Sequence, residues 1–156
     1  MNETDRVKDF TPDKAINNFF EDFIKRGQIV EEKEVLPGMN IKLRALNTEE
    51  SLNAESIIRE SKLPADIVAK VRAASILSQA LISINGMPIV DENDSDDIQR
   101  IKRMHMYNNL MKTAPVAVEK MYALYVQAVN KQVEIHNSPS IMMEECENFS
   151  QHHSEN

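Results

Sequence analysis

The chain of 156 residues has no tryptophan, three glycines, one cysteine and no long apolar run. Each scarcity excludes something. One thiol, Cys146, cannot form an internal disulfide framework. Three glycines are too few for a glycine-rich phosphate cradle, and no serine sits in a Gly-x-Ser-x-Gly elbow. The most apolar stretch, Ile67 to Ile84, is broken by Lys70, Arg72 and Gln79, so it reads as a buried helix and not as a membrane span. Met1 to Asp5 carries no basic segment leading into an apolar one, and no secretory signal is expected. Positive charge is also short: 18 Lys and Arg stand against 25 Asp and Glu, a formal net charge of −7. Phosphate-binding surfaces need clustered cations. The densest run here, Arg100 to Arg103, follows the acidic stretch Asp91 to Asp97, so nucleic acid is not an expected partner.

What is present is helical periodicity. Residues 1–10 are polar and expected to be loose. Thr11, Pro12 and Asp13 then supply a cap, a first-turn proline and an early acid. Ile16, Phe19, Phe20, Phe23 and Ile24 follow at helical spacing, with Gly27 as a stop. Two arms, Ile29 to Leu36 and Met39 to Leu46, flank Pro37-Gly38, which suits a type II turn. Ile41, Leu43 and Ala45 alternate with polar residues as in a half-buried strand. The charged run Glu31 to Glu34 marks the first arm as an edge strand.

Asn47 and Glu50 form the signature of a capping box, opening a helix with Leu52, Ala54, Ile57 and Ile58 on its apolar face. Pro64 and Asp66 open the next helix, expected to run to Asn85-Gly86 and, from its wide apolar face, to be the central one. Met87 to Val90 is a short extended piece. Ile101, Met104, Leu110 and Met111 anchor a helix over 98–112. After Pro115 a last helix buries Val118, Met121, Tyr122, Tyr125, Ala128, Val129 and Gln132 and ends at Asn137-Ser138-Pro139. The expected fold is mainly α with a small β-hairpin near 29–46, one domain of about five helices over 11–137 with its central helix near 64–85, and a flexible polar tail over 138–156.

No catalytic or metal-binding constellation emerges. Glu144, Glu145, Cys146, Glu147, His152 and His153 crowd the tail, but structural zinc requires four ligands on a rigid frame. Cys146 lies outside the expected core, without the base and orienting group a nucleophile needs. The stretch Asp91 to Asp97 lacks the central glycine and terminal glutamate of a calcium loop. The expectation is a protein that is not an enzyme, has no cofactor and works by binding other proteins. A buried cluster of ionisable groups converging on a cleft would overturn it. Nine methionines, an adaptable contact residue, point the same way as that expectation. Gap-filling in the core is the favoured reading of the methionines, and core packing that of the phenylalanine helix. If they make contacts instead, Met104, Met106 and Met111 on one helix, Phe19, Phe20 and Phe23 on the first helix, and Ile141 and Met142 in the tail are the candidate partner-binding residues.

The segment from Ile41 to Glu50, a strand with an outward basic residue leading into a capped helix, resembles tail assembly chaperones and baseplate hub assembly proteins of tailed bacteriophages. The resemblance continues through Leu81-Ile82-Ser83-Ile84-Asn85-Gly86-Met87-Pro88-Ile89, Arg100 to Tyr107 and Val118 to Gln132, spanning about residues 35–134. It implies a non-enzymatic assembly factor that binds the tape-measure or hub protein in the host cytoplasm. The alternative it leaves is a structural baseplate or tail subunit retained in the virion. A helical regulatory binding protein is a further class, disfavoured by charge.

Overall fold

The computed structural model describes residues 14, 16–18, 21, 28–60 and 62–137. Lys14, Ile16, Asn17, Asn18 and Glu21 are helical. Phe19, Phe20, Phe23, Ile141, Met142 and Cys146 lie outside the described residues. Contacts group the chain into two units, Gln28–Val133 and, separately, Met1–Gly27 with Glu134–Asn156. The Gln28–Val133 unit contains the sheet, the core and the concave surfaces described below.

Its elements run β1 (Val30–Leu36), β2 (Met39–Arg44), α1 (Thr48–Arg59), α2 (Ala65–Ala80), β3 (Leu81–Ile84), β4 (Met87–Pro88), α3 (Asp96–Lys112) and α4 (Pro115–Asn137), the last continuing past Val133. The expected hairpin is half of a four-stranded antiparallel sheet in the order β1-β2-β3-β4. In β1 and β2 Glu31 faces Leu43 and Lys33 faces Ile41, and β1 is an edge strand as its charges imply. Gly38 takes the positive φ of 79° that its turn requires. The second strand ends at Arg44, short of Leu46, although Ala45 N still donates to Ile29 O of the first arm (2.9 Å).

The central helix ends at Ala80, not near residue 85, because Leu81 turns into extended backbone and begins β3 with no intervening loop. Leu81 and Ile84 keep the apolar spacing of the helix, yet they pair across to Leu43 and Ile41. Asn85 and Gly86, at φ 50° and 78°, make the tight turn into β4. Met87 to Val90, expected as a short extended piece, contributes that fourth strand through Met87–Pro88. The two hairpin turns are clipped together: Asn40 N donates to Asn85 Oδ1 (2.8 Å), Asn85 Nδ2 to Gly38 O (3.0 Å) and Asn85 N to Asn40 O (2.7 Å).

One core joins the sheet to α2 and α4. Ile41, Leu43, Leu77, Leu81 and Met121 are fully buried in it, with Ala74, Ala80, Leu124, Tyr125 and Ala128 around them. Burying a Leu or Ile side chain contributes roughly 1.5–3 kcal/mol. Helix α1 docks on α2, where Ser75 Oγ donates to Ala54 O (2.7 Å) and Arg72 Nε to a Glu55 carboxylate oxygen (2.9 Å). In α3 only Leu110 of the four expected anchors is buried; Ile101, Met104 and Met111 face solvent. Arg103 takes the inward position instead. Ser95, not the acids around it, caps α3 by accepting from Ile98 N, and Asp94 pairs with Lys102 (2.5 Å).

Candidate functional site

Two concave surfaces of the Gln28–Val133 unit are built on α2. The first is an apolar groove of roughly 470 Å³ between the first half of α2, the end of α3 and the start of α4. Ala69, Ala73 and Ala74 form one wall, Leu110 and Met111 the floor, and Val118 and Tyr122 the other wall. Asp66, Lys70, Arg72 and Glu119 also line it. The alanines let a foreign side chain approach the α2 backbone, and Pro115 opens α4 where the chain turns after Thr113. The Tyr122 and Tyr125 rings stack with centroids 5.9 Å apart, fixing that wall to the core.

The second surface is a polar cleft of roughly 620 Å³ between α1, the end of α2 and α3. Arg44 at the end of β2 makes a bidentate pair with Glu50, Nη2 to Oε1 at 2.5 Å and Nη1 to Oε2 at 2.7 Å. Glu50 also completes the capping box: Oε2 accepts from Asn47 N (3.0 Å), while Glu50 N donates to Asn47 Oδ1 (2.9 Å). Burial pushes the Glu50 carboxyl up, but the Arg44 hydrogen bond, the Asn47 N–H and the charges of Arg44 and Arg103 outweigh it and hold the pKa below the usual glutamate range. The Arg44 guanidinium is raised, chiefly by its hydrogen bond to Glu50.

Deeper in the cleft Arg103 Nη1 donates to Ser78 O (3.0 Å) and Leu81 O (2.6 Å), satisfying carbonyls at the junction where α2 becomes β3. Burial, with Arg44 nearby, lowers the Arg103 pKa. Burial raises that of Tyr125, whose phenol oxygen accepts from Leu46 N. Arg44, Glu50 and Arg103 converge on the cleft half-buried, short of the buried cluster that would overturn a binding role. Each has a structural job, whether pairing a strand end, capping a helix or covering free carbonyls. The lowered pKa of Glu50 makes it a poor general acid.

Of the candidate methionines, Met104 and Met111 share one face of α3 two turns apart, and Met106 lies off it. Met104 is 60% exposed and lines the polar cleft; Met111 is 45% exposed and lines the groove; Met106 packs against the core. Arg44, Glu50 and Arg103 are not among the residues that the sequence singles out for binding. The capping box flags Glu50 as structural, but nothing local in sequence marks Arg103, whose bonding partners lie 22 and 25 positions away. Among the described residues no group of three or more His, Cys, Asp or Glu is placed to hold a metal ion, and no helix is long and apolar enough to cross a membrane.

Comparison with known protein families, with curated proteins and with solved structures finds no match to this chain.

Proposed function

We propose that the chain works without catalysis, as an assembly factor that holds an apolar helical segment of another protein, in the manner of the phage tail chaperones its sequence resembles. The observation that carries this reading is the groove between α2, α3 and α4. Its floor and walls are apolar, its edge carries both signs of charge, and Met111 stands half-exposed within it. An amphipathic helix docking into a hydrophobic groove is a recurring recognition mode, and methionine adapts to partners of varied shape. A tape-measure protein, a long helix whose apolar stripe needs cover before assembly, is the partner the resemblance points to; a baseplate hub protein is the other.

The test is co-expression with a tape-measure segment, followed by size-exclusion chromatography. A co-eluting complex is expected, and Ala69→Glu or Met111→Asp, both on exposed groove positions, should dissolve it while leaving the thermal transition in place. Absence of a complex with tape-measure and hub segments alike would overturn the reading. Mass spectrometry of purified particles then decides between a factor that departs and a subunit that stays.

A further inference from the structure

We infer that the polar cleft between α1, α2 and α3 receives a carboxylate carried on a peptide segment, with the unused edge of the Arg103 guanidinium as its seat. A guanidinium has five N–H donors. Nη1 of Arg103 is occupied by Ser78 O and Leu81 O, whereas among the described residues neither Nε nor Nη2 has a partner, and no carboxylate lies within ion-pair distance. The Nε–Nη2 edge is the planar fork that matches a carboxylate with two parallel hydrogen bonds. Two carbonyls already fix the side chain, so little rotamer freedom is left to lose on binding.

The surrounding charge favours the same ligand. Glu50 is spent on Arg44 and Asn47 N, and Arg100 is held at the mouth by Asp97. Three arginines line the cleft; Arg44 is paired with Glu50 and Arg100 with Asp97, which leaves Arg103 as the lining arginine with no carboxylate partner among the described residues. Asp96 opposes an incoming anion, but it sits exposed in the first turn of α3. The cleft is also far larger than a bare anion needs. Met104 and Tyr107, three residues apart on α3, add an apolar wall beside the guanidinium. The ligand that uses all of this is an acidic residue flanked by an apolar one.

The inference stands apart from what fills the groove. It is tested on the full chain by following the Arg103 Nε–H resonance during titration with a capped Leu-Glu-Leu tripeptide, with capped Leu-Gln-Leu and sodium acetate as comparisons. A saturable shift with the glutamate peptide, none with the glutamine peptide and a weaker response to acetate are expected. Arg103→Lys keeps the charge but loses the fork, and should weaken binding at least about tenfold. Met104→Glu, at a solvent-facing position, puts a carboxylate in the cleft of a folded chain and should move the Arg103 resonance by itself while abolishing peptide binding. Equal shifts with both peptides, or none with either, would overturn the inference. A response to acetate alone would overturn the peptide part of it.

Discussion

Replacing Glu50 tests how much of the fold hangs on one half-buried carboxylate. In Glu50→Ala the return bond of the capping box is lost, worth about 0.5–1 kcal/mol at a helix start. The bidentate pair with Arg44 is lost as well. The two side chains are 24% and 25% exposed, between the surface pairs worth about 0.2–1 kcal/mol and the buried pairs whose breaking costs about 3–5 kcal/mol. A value of about 2 kcal/mol suits that intermediate burial, since Arg44 and Arg103 are left facing each other across the cleft. The total, about 3 kcal/mol, should lower Tm by about 10–20 °C for a unit of this size.

Circular dichroism melts at neutral pH read this directly. The companion double-mutant cycle with Arg44→Met and Glu50→Gln should return a coupling of at least about 1 kcal/mol. The gap between the native chain and Glu50→Gln should also depend on pH. A carboxylate with a lowered folded pKa stabilises fully above its unfolded value and loses that contribution as pH falls through the folded one. The gap should therefore be widest near neutrality and close in acid, below the ordinary glutamate range. A Glu50→Ala melt within about 2 °C of the native chain, or a gap that widens in acid, would refute the reasoning.

Leu77→Ala removes a fully buried side chain from the junction of sheet and helices and should cost about 2–5 kcal/mol in chemical denaturation, without altering the far-ultraviolet spectrum of the folded state. Gly86→Ala should cost about 1–2 kcal/mol from its positive φ alone, because an added Cβ meets no atom within 4 Å. Asn85→Ala loses both the tolerance of φ 50° and two side-chain hydrogen bonds, and hydrogen exchange should show β1–β2 and β3–β4 amides opening at lower free energy together.

The readable parts of this fold are those written locally. Pro37-Gly38 and the alternation of Ile41 and Leu43 mark the hairpin, Asn47 with Glu50 marks the start of α1, and the charged β1 announces an edge. The end of α2 is obscured because Leu77, Leu81 and Ile84 keep helical spacing, and periodicity alone does not separate a buried helix from a short buried strand. Asn85-Gly86 followed by a second extended run is the available signal for a hairpin. Met106 is separated from Met104 by geometry the sequence does contain: positions two apart cannot share a helix face, whereas 104 and 111 can. Arg103 is out of reach, since its role depends on where α2 stops.

The passage from α2 to β3 through Leu81, with no residue of slack, makes a lever of that segment. Its first half is a wall of the groove, its last turn is a wall of the cleft, and its far end is woven into the sheet at Leu43. Any tilt of that helix at Ala69 would therefore reach the Arg103 contacts at Ser78 and Leu81. Whatever moves one concave surface would move the other, and any such coupling would be equal in both directions.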